Sequence, residues 1–119
     1  MKHIKDIRIV THCVADLDAE ISVWREYLGY VLHTRGELSA ELCSAWGTSA
    51  ERGKRFALMT PASGNAVYLR FIETGDRPGY WPPLTWGWHA TEILVPDPVE
   101  LGGPLQRPPM YVFGGPGAA

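Results

Sequence analysis

The segment Val67-Tyr68-Leu69-Arg70-Phe71-Ile72-Glu73 places a guanidinium in the middle of a mostly apolar, strand-like run. A cation on a central strand must be matched, because an unpaired charge taken out of water is costly. Two partners answer that need. One is a carboxylate of the same chain, for which Glu92 is the candidate; the other is an anionic ligand gripped by the planar guanidinium fork. Side chains alternate across a strand, so Tyr68, Arg70 and Ile72 share one face. The same parity on the other strand-like segments brings Ile9, Thr11 and Cys13, then His33 and Arg35, then Ala90, Glu92 and Leu94 to that face. The result is a mostly apolar lining with a few convergent polar groups, the usual make-up of a small-molecule site. Within it Glu92 and His33 are candidate catalytic proton acceptors if burial shifts their pKa. Thr11, Cys13, His33, Arg35, Tyr68, Arg70 and Glu92 are candidate ligand contacts, with Trp46 and Trp86 as aromatic neighbours.

The elements that position these residues follow from pattern. Ile9 to Val14 is a short apolar strand. Leu17, Ile21, Trp24 and Leu28 then recur every three or four residues, which predicts an amphipathic helix with these side chains on one face. Asp16 is its N-cap, Asp18 and Glu20 favour the positive end of the helix dipole, and Gly29 is its C-cap. Tyr30 to Glu37 alternates as a strand. Ser39 to Trp46 is rich in helix formers behind a capping serine and ends at Gly47, which predicts a short helical insert covering the polar-lined face, with Trp46 as its anchor. Arg55 to Thr60 and Ala66 to Glu73 read as two strands joined by the turn Pro61-Ala62-Ser63-Gly64-Asn65. On β-strand parity His12 shares a face with Val10 and Val14, under the helix, where a hydrogen-bonded structural histidine is expected.

Beyond Thr74 the chain changes character. A loop runs to Thr85 and holds Tyr80 and Trp81; with Trp86 and Trp88 these place four aromatics within nine residues, suited to an interface, a core lid or a ligand rim. Trp88 to Val95 reads as a further strand. It ends in Val95-Pro96-Asp97, an echo of Val14-Ala15-Asp16. The Pro- and Gly-rich stretch that follows leaves no room for a helix plus three strands. Met110 to Phe113 is either one short strand or part of a disordered tail.

The stretch Val14-Ala15-Asp16-Leu17-Asp18, followed by a helix with a central aromatic and the stop Leu28-Gly29-Tyr30, resembles the opening of a module of the vicinal oxygen chelate superfamily, which includes glyoxalase I, the extradiol dioxygenases and the bleomycin-resistance proteins. The resemblance implies an α+β fold: a βαβββ module (residues 1–75) forming a curved mixed sheet, a half-barrel cup, with an additional strand (86–97) from a truncated second module and a Pro/Gly-rich tail (98–119), all one glyoxalase-like domain. It further implies that a second subunit covers the exposed sheet edge, giving a homodimer. Metal-using members draw His, Gln or Glu ligands from the first and last strands of each module. Counting seven residues back from Asp16 reaches Ile9, counting back from Asp97 reaches Ala90, and the last-strand position falls on Arg70. None of these binds a divalent cation, so no metal and no cofactor are expected. A site improvised from His33, His89 and Glu92 is the alternative.

Composition narrows the function classes. Eleven Lys plus Arg against 13 Asp plus Glu, with no basic run, gives no electrostatic pull toward nucleic acid or an anionic bilayer. No segment reaches the roughly 20 apolar residues of a membrane span, which predicts a cytoplasmic chain. The two cysteines, Cys13 and Cys43, are too few for a secreted disulfide framework and are expected reduced. Three readings remain. The first is a metal-free binder of a small molecule, an anionic aromatic compound, in an apolar, aromatic-rimmed cup. The second is an enzyme of the same superfamily, a lyase, isomerase or dioxygenase-like catalyst. The third is an inactive truncated fragment.

Overall fold

The computed structural model describes residues 3–76, 78–79, 91–103 and 105. The chain forms two compact units, Met1–Pro78 and Gly79–Ala119. The first unit runs β1 (Ile9–Val14), α1 (Leu17–Leu28), β2 (Tyr30–Glu37), α2 (Ala40–Ala45), a 3-10 turn (Ser49–Glu51), β3 (Arg55–Pro61) and β4 (Tyr68–Glu73).

The four strands form one open mixed sheet in the order β1-β4-β3-β2. α1 carries the chain from one edge to the other, so β2 starts far from β1. β2 pairs antiparallel with β3 across the insert 38–54, and β3 pairs antiparallel with β4 across a short loop. β4 ends beside β1 and pairs with it in parallel, with Thr11 opposite Arg70 and Cys13 opposite Ile72.

α1 begins and ends where its sequence dictates. The Asp16 carboxylate accepts from the Ala19 N–H at 3.1 Å, and Gly29 takes the left-handed conformation (φ 66°) that lets its N–H reach the Trp24 carbonyl. Its apolar stripe drives Leu17 and Ile21 onto the sheet, against Ala57, Met59, Leu69 and Phe71, with Val10, Val14, Trp24, Tyr30 and Leu32 around them. Fully burying a side chain such as Leu17 or Phe71 contributes roughly 1.5–3 kcal/mol. This is the main core, and it uses one face of the sheet only.

The second unit departs from expectation. Residues 91–95, the described part of the expected fifth strand, form no strand among the described residues. β-branched residues favour a strand only where a paired, half-buried surface receives them. The echo at Asp97 extends to function of the residue: its carboxylate accepts from the N–H groups of Val99 and Glu100 at 2.9 and 3.1 Å and caps the short helix α3 (Pro98–Gly102). Pro98, expected as part of an irregular tail, instead occupies the first helical turn, where its missing N–H costs nothing. Trp86, Trp88, His89, Ala90 and Met110 to Phe113 lie outside the described residues.

Candidate functional site

Parity assigns β1 correctly. His12 lies on the helix side, its ring edge-on to Phe71 with centroids 5.6 Å apart, and partial burial there pulls its pKa below the ordinary histidine value, with Glu20 opposing. β2 does not keep a single parity. Leu32 pairs with Met59 but Thr34 pairs with Leu58, so His33 is an extra residue, a bulge, and every later side chain changes face. Arg35 therefore stands opposite the buried Ala57, on the helix side, and not on the face shared by Arg70. Its guanidinium donates to Asp18 on α1 at 2.9 Å. The expectation that Arg35 contacts a ligand beside His33 is thus corrected by one inserted residue.

On that helix side Arg35 joins a network. Arg55 donates to both oxygens of Glu73, at 3.1 and 2.7 Å, and to Asp18 at 3.3 Å. Glu73 also accepts the Leu17 N–H at 2.8 Å, filling one of the free donors at the start of α1. The Arg55 hydrogen bonds, followed by that backbone bond, hold the Glu73 carboxyl below its usual range; Arg35 first and then Arg55 do the same for Asp18. All members are matched, which makes this cluster a clamp between α1 and the sheet.

The opposite face of the sheet carries the candidate site. Its β4 row is Tyr68, Arg70 and Ile72, and it changes character along the strand. At the Ile72 end the insert covers the sheet: Leu38 and the fully buried Cys43 pack on Ile72 and Phe56. The insert is closed at its base by backbone bonds between Leu38 and Lys54 and between Gly53 and Leu38, and Ser39 caps α2 through the Leu42 N–H. In the middle, the Arg70 Nε donates to the Thr11 hydroxyl at 3.0 Å and the guanidinium carbon lies 4.3 Å from the centre of the Trp46 ring. At the Tyr68 end, His33 reaches across β3 so that its ring is 5.0 Å from that of Tyr68.

Arg70 is partly buried, and desolvation lowers its pKa from the ordinary arginine value. Its partners in the first unit are a hydroxyl and an indole face. No carboxylate among the described residues of the first unit pairs with it. Glu92, the intramolecular partner considered from sequence, belongs to the second unit. The two terminal nitrogens of the guanidinium thus carry no hydrogen bond to a described residue, and they are the groups that grip a carboxylate bidentately.

The structure brings Thr11, Tyr68, Arg70, Trp46 and His33 together and keeps Cys13, a free and exposed thiol, on the same face of β1. It moves Arg35 away, and Trp86 lies outside the described residues. Leu38, Cys43 and Phe56, which close one end of the face, were not singled out as site residues. Their only sequence signal is apolarity, because they meet through an insert whose path no local pattern specifies.

Comparison of the chain with protein-family models, with curated proteins and with solved structures finds no match. The superfamily resemblance therefore rests on the residues themselves. The metal it implies does not fit the positions it names in the first unit: Ile9, beside Tyr68, offers no donor atom, and Arg70 is a cation. Among the described residues no three His, Cys, Asp or Glu side chains converge on a common point. No helix among them is long and apolar enough to cross a membrane.

Proposed function

We propose that the protein binds a small anionic aromatic compound on the face of the sheet opposite α1, with Arg70 as the anchor for the charge. One observation carries this reading: a partly buried guanidinium, oriented by Thr11 and Trp46, has no carboxylate partner among the described residues of the first unit. Partial burial costs this charge some of its hydration, and a carboxylate on its free edge would offset that loss. The rest of the face is suited to the uncharged part of such a ligand, since it offers Tyr68, His33, Leu58 and Thr11 and no second strand cation among the described residues.

The strand order β1-β4-β3-β2, with α1 on one face of the sheet of the first unit, supports the further proposal of a glyoxalase-type βαβββ module of the bleomycin-resistance kind. In that reading a second copy of the chain completes the cup. The binding claim is tested by screening aromatic acids for ligand-induced thermal stabilisation. Wild-type protein is expected to be stabilised by a subset of them, and Arg70→Ala to lose that stabilisation. Stabilisation that is unchanged in Arg70→Ala would overturn the reading.

A further inference from the structure

The order of groups along β4 restricts what the ligand can be. We infer that the site takes a monoanionic aryl-substituted short-chain carboxylate, an aromatic ring joined to a carboxylate by a two-carbon spacer, with the carboxylate on Arg70 and the ring on the Tyr68–His33 pair. This rests on the reading of Arg70 as an anion site. Tyr68 and Arg70 are two residues apart on one face, so their backbone positions are roughly 6–7 Å apart at about 3.3 Å per residue. One of them faces the indole of Trp46 and the hydroxyl of Thr11; the other forms a ring pair with His33. Beyond Arg70 in the other direction Leu38 and Cys43 already cover Ile72 and Phe56. The ligand body therefore extends toward Tyr68, where Val31 and Ile9 leave the face open to solvent.

Charge sets the head group. Arg70 is the one cation among the described strand residues of this face, its Nε is taken by Thr11, and Trp46 covers one side of its plane. What remains is the edge bearing the two terminal nitrogens, which matches the two oxygens of a carboxylate. A dianion such as a phosphate monoester brings a second charge that nothing on this face neutralises. A spacer is needed because benzoate, with its carboxylate directly on the ring, satisfies Arg70 or reaches the Tyr68 ring but does not serve both.

The test is isothermal titration of the full chain with 3-phenylpropenoate, benzoate, phenyl phosphate and 3-phenylpropanol. The expected order has 3-phenylpropenoate tightest, 3-phenylpropanol at least about tenfold weaker for want of the charge-assisted hydrogen bond pair, benzoate about threefold to tenfold weaker for want of the aromatic contact, and phenyl phosphate weaker for its unmatched second charge. Tyr68→Leu is expected to weaken 3-phenylpropenoate about threefold to tenfold, the share of one aromatic contact, and to leave benzoate unchanged. Tyr68→Phe, which keeps the ring and the fold, retains the affinity. Equal binding of benzoate and 3-phenylpropenoate, tighter binding of phenyl phosphate, or indifference to Tyr68→Leu would overturn this inference while leaving Arg70 as an anion site. Failure of all three anions to bind, or binding unchanged in Arg70→Gln, would overturn both.

Discussion

At the residue scale, two ionisable groups under α1 set a pH dependence of stability. Glu73 is held ionised by Arg55 and by the Leu17 N–H, so its folded pKa lies below its unfolded value. Its contribution is fully present above the unfolded pKa, about 4.3, and is lost as pH falls through the folded one. Glu73→Gln is expected to lower the midpoint of thermal unfolding at neutral pH and to reduce its further fall between about pH 5 and 3. His12 has the opposite charge and the same sign of slope. Burial lowers its pKa, so protonation favours the unfolded chain, and stability is complete above about pH 6.5 and declines as pH falls below it. His12→Asn is expected to flatten the thermal midpoint between pH 5 and 7, measured by circular dichroism, whatever its effect at pH 8. Both expectations come from contacts that sequence parity reached only in part. It put His12 under the helix, but nothing in the spacing of Glu73, Arg55, Arg35 and Asp18 shows that three strand ends and a helix start meet.

At the element scale, α1 was legible almost to the residue because its signals are local: a capping aspartate, an apolar stripe and a glycine that takes a left-handed turn. Leu17→Ala, which removes a fully buried side chain between α1 and the sheet, is expected to cost about 2–5 kcal/mol in urea unfolding. β2 shows where local pattern stops. The alternation Tyr30 to Glu37 located the strand, but the bulge at His33 carries no glycine or proline to announce it, and one extra residue moved Arg35 to the other face. The insert was legible as a helix with Ser39 as its cap, yet the meeting of Trp46 with Arg70 and of Cys43 with Phe56 is long-range and has no local signature. Cys43→Ser puts a hydroxyl into a fully apolar contact at a cost of about 1–3 kcal/mol. Hydrogen exchange is expected to quicken across residues 38–54 in this variant while α1 keeps its protection.

At the scale of the whole molecule, the sheet of the first unit is open, with α1 over one face, the short insert over part of the other, and β1 and β2 as its edges. Edges and half-covered faces invite pairing with another chain, and the proposed second copy would be that chain. Light scattering at micromolar concentration is expected to give twice the chain mass; a monomer would remove the dimeric cup and leave the Arg70 site to be judged on its own. The face of the sheet that the proposed ligand meets is read out by titrating isotope-labelled protein with 3-phenylpropenoate and following amide and side-chain N–H resonances. Thr11, Trp46, Tyr68 and Arg70 are expected to shift together, saturably, while Leu17 to Leu28 of α1 stay in place. Shifts confined to α1 and the Arg55–Glu73 clamp, or none at millimolar ligand, would contradict the proposed binding face.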